Sequence, residues 1–130
     1  MKLAITVNSA TGRISPVFES AQTLLILQCC RRRIAIECEL TLPVDDAQKI
    51  DLFSQYELCA VICGAIANET LQYFNERQVR IVPFAAGDWR QVAETFIASR
   101  RHLNAKHIMP GCRRHFRQCC QNTKPQEDQL

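Results

Sequence analysis

No apolar run in this sequence approaches the ~18 residues that a membrane-spanning helix needs. Glycine is scarce, with four in 130 residues, and tryptophan occurs once. There is no glycine-rich phosphate loop, no nucleophile elbow and no pair of carboxylates at a strand end. These absences remove the usual grounds for a nucleotide-binding or hydrolytic enzyme, and the expectation is a protein that is not an enzyme. The N-terminus offers only the five-residue, mostly apolar stretch Leu3–Val7 before polar Asn8 and Ser9. That is shorter than the ~7–15-residue core of a signal peptide. The expected setting is therefore cytoplasmic, with reduced thiols.

Apolar residues make up 47% and charged residues 22% of the chain, the balance of an ordinary soluble globular domain. A chain of this length fits one domain with a real core. The net charge of +3 is too small to name a partner. The eight cysteines are the unusual number. They are about 6% of the chain, below the ~8–10% of a small disulfide scaffold. The vicinal pairs Cys29–Cys30 and Cys119–Cys120 also fit a simple disulfide framework poorly.

Charge divides the chain in two. Residues 1–94 hold nine basic and eleven acidic residues, whereas residues 95–126 hold seven basic residues and no acid. His102, His107 and His115 all lie in the second stretch, with Cys112, Cys119 and Cys120. The chain reads as a core domain over 1–101 and a basic Cys/His-containing tail over 102–130, partly disordered towards its polar end.

Lys2–Asn8 reads as a strand, and Ser9–Pro16 as a loop turning at Gly12. Thr23–Cys29 is a nearly continuous apolar run, expected as a strand buried on both faces. Arg33–Leu40 alternates apolar and polar residues, so the two runs predict a hairpin with its turn at Cys30–Arg33. A helix is expected from Pro43 to about Gln55, with Asp45 and Asp46 at its positive end. Leu58–Cys63 reads as a buried strand, Ala65–Arg77 as a helix and Val79–Pro83 as a short strand. Asp88 caps an expected helix over Trp89–Arg101, with Val92, Phe96 and Ile97 on its buried face. The order β-β-β-α-β-α-β-α predicts an α/β fold. Its mixed five-stranded sheet combines an antiparallel meander with two parallel strands reached by right-handed crossovers. Ligands of such sheets bind at the carboxyl ends of parallel strands. Those ends carry Asn8–Ser9, Cys63–Gly64 and Pro83–Ala86.

Three ordered stretches carry a family resemblance. They are Met1–Asn8 with Gly12-Arg13-Ile14-Ser15-Pro16-Val17-Phe18, then Val61-Ile62-Cys63-Gly64-Ala65-Ile66, then Val79-Arg80-Ile81-Val82-Pro83. Together they resemble the dinitrogenase iron–molybdenum cofactor biosynthesis family, which includes NifX-type carriers and the C-terminal domain of NifB. Met109-Pro110-Gly111-Cys112 is similar to a tail motif of some small members. The resemblance spans roughly residues 1–100. It implies a ribonuclease-H-like fold and the binding or carrying of a metal–sulfur cluster, an iron–molybdenum species or a related molybdenum, iron or copper sulfide. It implies cluster donor and acceptor proteins as partners, in nitrogen fixation or another cofactor-assembly route. Ser15, Cys63 and Gly64 are the cofactor-binding candidates it points to. Members often read Ser-Pro-His-Phe-Gly and Cys-Gly-Gly-Ile-Gly. Here the stretches read Ser15-Pro16-Val17-Phe18-Glu19 and Cys63-Gly64-Ala65-Ile66-Ala67, without the histidine and with fewer glycines.

Several residue groups admit two readings. Cys63, at a strand end before a helix, is either a thiolate ligand stabilised by helix amides or a small apolar side chain in the core. Cys59, four residues earlier on the strand, lies about 13 Å away and shares no metal with it. Cys112, His115, Cys119 and Cys120 place three sulfurs and an imidazole within nine residues. Zinc or copper accepts that donor set, although the spacing matches no standard two-pair zinc module, and incidental thiols are the alternative. Arg100, Arg101, Lys106, Arg113, Arg114 and Arg117 attract anionic partners or are simply solvated. Phe116 is the one aromatic beside this basic stretch, which holds no reader motif, and both facts argue against nucleic acid. The ribonuclease-H-like fold makes a metal-binding acid worth seeking, but Lys2–Asn8 has none. Asp45, Asp46 and Asp88 are explained as helix starts. Two classes of function stand: a cluster carrier, or an interaction module that kept the fold and lost the cluster, with a zinc-binding tail as its variant.

Overall fold

Leu3 to Val7 are apolar or small at every position, which demands cover on both faces of the strand. The computed structural model, which describes residues 1–31 and 33–98, places that strand, β1 (Lys2–Asn8), in the middle of the sheet. β3 (Thr23–Cys30) runs antiparallel beside it, and β4 (Arg33–Thr41) continues the meander to the edge. On the other side β5 (Ala60–Ile62) and β6 (Ile81–Val82) run parallel to β1. The spatial order is β4-β3-β1-β5-β6. This is the predicted antiparallel meander joined to two parallel strands. A sixth, two-residue strand, β2 (Arg13–Ile14), pairs with the end of β1 inside the stretch expected to be loop.

The pleat sends alternate residues to two separate cores. Leu3, Ile5, Leu25, Leu27 and Ile62 meet Val92, Ala93 and Phe96 of α3 (Trp89–Ala98). Ala4, Leu24, Ile26 and Val61 meet Phe53 of α1 (Asp46–Ser54) and Leu71 and Phe74 of α2 (Asn68–Glu76). Phe74 is the hub of the second core, edge-on to Phe18 at 5.4 Å and tilted to Phe53 at 5.9 Å. Such ring pairs add about 0.5–1.5 kcal/mol beyond the area they bury.

Of the three helix-start carboxylates, Asp46 lies in the first turn of α1 and the other two cap. Asp45 accepts from the Gln48 N–H at 3.3 Å, and Asp88 accepts from the N–H groups of Arg90 and Gln91 at 3.1 and 3.3 Å. Other boundaries differ. α1 begins at Asp46 rather than Pro43. α2 begins at Asn68, because Ala65 is instead bridged to Val17. Strands β5 and β6 are shorter than their apolar runs. A bulge between Ile26 and Leu27 breaks the regular register of β3 with β4. The turn of this hairpin is tight, with Cys30 paired to Arg33 and Arg31 at φ 49°. The expected tail over 102–130 and the end of the last helix lie outside the described residues.

Candidate functional site

The structure brings together Ser15, Cys63 and Gly64, the three cofactor-binding candidates. They meet where β5 ends. The segment 15–19 crosses above this end as a strap, joined to it by backbone bonds. The Ala65 N–H donates to the Pro16 carbonyl and the Phe18 N–H to the Ala65 carbonyl, each at 2.8 Å. The strap is tied to β1 as well, by the Ser15 N–H donating to the Thr6 carbonyl at 3.0 Å. On the opposite side, the turn after β6 closes on the same strand end. The N–H groups of Phe84 and Ala85 donate to the carbonyls of Gly64 and Cys63 at 2.8 and 2.9 Å. Phe84 holds φ 63° to do so, a costly conformation for a bulky residue.

Gly64 is glycine for a local reason. A Cβ there would lie 2.6 Å from the Pro16 carbonyl oxygen and closer still to that of Ser15. The strap therefore sits directly on the Gly64 backbone. Cys63 beneath it is wholly buried, packed with Phe18, Ile66 and Phe74. Burial pushes its thiol far above the ordinary range, and the nearby Glu19 carboxylate pushes it further. A thiol so placed stays protonated and is a poor metal ligand. Ser15 is also buried.

Sequence reasoning missed four residues that build this region. Glu19 turns its carboxylate to the start of α2. The Ala67 N–H donates to both of its oxygens, at 3.3 and 3.4 Å. A helix start of this kind favours anions, and the chain supplies its own. Phe18 plugs the strap into the core, fully buried. Lys49 is buried to 1% exposure, with its ammonium 4.6 Å from the Phe18 ring centroid and 3.4 Å from Asp46 Oδ1. A lysine in a polar helix reads as solvated, so nothing in the pattern marks it. Thr6 lies on β1 one position beyond the pair Ile5–Ile62, hence alongside Cys63. Its hydroxyl is buried without a hydrogen-bond partner.

Cys59 belongs to the other core and is half-buried, so it shares nothing with Cys63. Among the described residues all five cysteines are free, and no group of three or more His, Cys, Asp or Glu side chains could hold a metal. Cys112, His115, Cys119 and Cys120 lie outside the described residues. No described helix is long and apolar enough to cross a membrane.

The buried thiol sets a pH dependence. In the unfolded chain Cys63 ionises near the ordinary ~8.5, whereas the fold holds it protonated. Below that pH the effect is absent. As pH rises above it, the unfolded state gains by ionising and the fold loses up to ~1.4 kcal/mol per pH unit. Burial raises Cys29 as well, so the wild-type slope contains both thiols. Urea unfolding at pH 8 and pH 10 is expected to show the wild type losing about 2 kcal/mol more than Cys63→Ala. Equal losses in the two proteins would show that Cys63 ionises freely in the fold.

No protein-family model matches the sequence, and no curated protein matches it. Solved structures do match. A crystal structure of PH0822 superposes with a TM-score of 0.67 at 16% identity, covering 81% of this chain and 96% of that one. An NMR structure from Methanococcus jannaschii, named a "putative dinitrogenase" (MJ0327), gives 0.57 at 23% identity over 81% and 93%. A crystal structure of the same archaeal protein gives 0.56 at 21% identity over 81% and 95%. The likeness is one of fold, a mixed open sheet flanked by helices, and it agrees with the fold that the sequence resemblance implied.

Proposed function

We propose that this chain is a non-enzymatic binding protein of the cofactor-biosynthesis type, carrying a metal–sulfur species as cargo on its tail rather than on Cys63. The observation that carries this reading is the sealing of Cys63. The thiol is wholly buried under the strap, and its pKa is raised by burial and by Glu19. The family-type loop thus offers no thiolate. The clustered donors that remain are Cys112, His115, Cys119 and Cys120, a set that suits iron, copper, molybdenum–sulfide or zinc. The cargo would be an iron–molybdenum or related molybdenum, iron or copper sulfide, received from one protein and passed to another. The fold of the archaeal structures supports this class of role. The use of Asp45 and Asp88 as helix caps supports a role without catalysis.

One observation favours a second reading. Glu19 occupies the α2 start where an anionic cargo would dock. A chain that fills this position with its own carboxylate suits an interaction or regulatory module that kept the fold, with zinc in its tail.

Metal and acid-labile sulfide content of anaerobically purified full-length protein decides between them. The expected result is iron, molybdenum or copper with sulfide in wild type and in Cys63→Ser. Cys112/Cys119/Cys120→Ser should lose at least nine-tenths of it. Loss in Cys63→Ser alone would overturn the assignment to the tail. Zinc without sulfide, or a protein that stays empty when offered a cluster, would move the conclusion to the interaction module.

A further inference from the structure

β4 is the edge strand of the sheet, and its outer side has no neighbour among the described strands. Which of its backbone groups point outward follows from the ladder. The Cys29 N–H donates to the Met1 carbonyl at 2.8 Å, and the Met1 nitrogen donates to the Cys29 carbonyl at 3.2 Å. Cys29 thus uses both of its groups on β1. Successive residues of a strand bond in opposite directions. Gln28 and Cys30 therefore turn their groups towards β4, where their partners are Ala35 and Arg33. Ile34 and Ile36 then direct their N–H and C=O groups away from the sheet. An exposed row of this kind is a template for another strand. The row ends at Glu37, the extra residue of the bulge, because the alternation changes phase beyond it.

The open segment is Arg33-Ile34-Ala35-Ile36-Glu37, and it is complementary to itself. Laid antiparallel on a second copy with Ala35 opposite Ala35, it sets Arg33 against Glu37 at both ends and Ile34 against Ile36 between them. Ile34 and Ile36 are also the residues whose outward groups are exchanged in this register, giving two bonded pairs about the two-fold axis. The faces agree. Ile34 and Ile36, paired to Cys29 and Leu27, stand on the α3 side. Glu37 reaches Lys2 at 3.2 Å, and Lys2 lies 6.0 Å from the Tyr56 ring centroid in the other core. Arg33, one residue before Ile34, stands on that side too. Ile34 is already packed against the α3-side core, so the apolar gain falls to Ile36, which is 49% exposed. Arg33 has no ion-pair partner among the described residues. Both unmet needs are supplied by the same five residues of another copy.

We propose that two copies of this chain pair through Arg33–Glu37 of β4, antiparallel about Ala35, into one continuous sheet. The interface is isologous, each copy giving the same patch. A five-residue strand pair belongs with the small, transient interfaces below ~1,200 Å², so the dimer forms and dissolves with concentration. The pairing is independent of what the chain carries.

Sedimentation velocity of the full-length protein between ~10 μM and ~1 mM, the range of weak association, tests it. Wild type is expected to pass from monomer to dimer. Arg33→Glu and Glu37→Arg each bring like charges together twice and should weaken the dimer about tenfold. An equimolar mixture of the two variants should restore it, since every opposed pair in the mixed dimer then joins opposite charges. Both residues are exposed, so each variant should keep the wild-type circular dichroism. The Lys2 ion pair lost in Glu37→Arg is on the surface and contributes little. Amide hydrogen exchange gives the backbone readout. Exchange at Ile34 and Ile36 should slow as concentration rises, while that of Ala35, turned towards β3, should stay the same. A monomer at every concentration would overturn the proposal. So would a dimer that neither variant weakens, a mixture no better associated than the variants alone, or Ile34 and Ile36 amides that exchange alike at all concentrations.

Discussion

Gly64→Ala is expected to destabilise the fold by about 3–5 kcal/mol, among the largest effects of one added methyl group. Overpacking in a core is usually relieved by rotating side chains, but no side chain stands in the way here. The obstructing atoms are the backbone of Ser15 and Pro16. Moving them means breaking the Ala65–Pro16 and Phe18–Ala65 bonds and lifting Phe18 from its pocket. The position needs closeness rather than a special φ, since Gly64, unlike Gly12, does not adopt a left-handed backbone. Ala65→Gly, one residue on, makes a pair of glycines without touching this contact and is expected to cost under ~1 kcal/mol. Urea unfolding of the three proteins gives the comparison. A loss below about 1 kcal/mol for Gly64→Ala would mean that the strap yields easily and does not seal Cys63.

The parts of the fold visible in the sequence are those made by local pattern. β1 and β3 follow from apolar runs, the hairpin from the alternation of Arg33–Leu40, and the caps from Asp45 and Asp88. The parts that were not visible depend on partners distant in the chain. Ala65 and Ile66 have helical composition, yet Ala65 is held by Pro16 and Phe18, so α2 starts later. The bulge opposite Ile26 and Leu27 has no glycine to announce it. The site divides the same way. Ser15, Cys63 and Gly64 were found through resemblance, and the structure does bring them together. The chemical character of Cys63 could not be read, because it is set by Phe18 and Glu19, 45 and 44 residues earlier in the chain. Cys63 had two readings in the sequence, a ligand or a core side chain, and the structure places it wholly buried beneath the strap.

The strap is held to the β5–α2 turn in two ways. The backbone of 16–18 bridges to Ala65, and the Glu19 carboxylate accepts from the Ala67 N–H. Val17 is 41% exposed, so of Val17 and Glu19 it is Glu19 whose side chain ties the strap down.

Phe18→Ala is expected to cost about 3–5 kcal/mol, the usual range for a buried phenylalanine. It removes the edge-on contact with Phe74 and the ring beside the Lys49 ammonium. Phe53→Ala is the matched control. Phe53 is similarly buried against Phe74 but belongs to α1 rather than to the strap. The two variants should lose comparable stability and differ in how Cys63 becomes reactive. Without Phe18 the strap retains only backbone bonds and the exposed Glu19 contact, so it should open by itself. Labelling of Cys63 in native protein should then depend weakly on urea, the signature of a local opening. In Phe53→Ala the thiol should be reached only by global unfolding, with a urea dependence matching the full equilibrium slope. Mass-spectrometric mapping separates Cys63 from exposed Cys30, which is expected to react at once in every protein. Identical urea dependences for Cys63 in the two variants would show that Phe18 is an ordinary core residue. A weak dependence confined to Phe18→Ala would establish that this one ring decides whether the thiol at the end of β5 meets solvent.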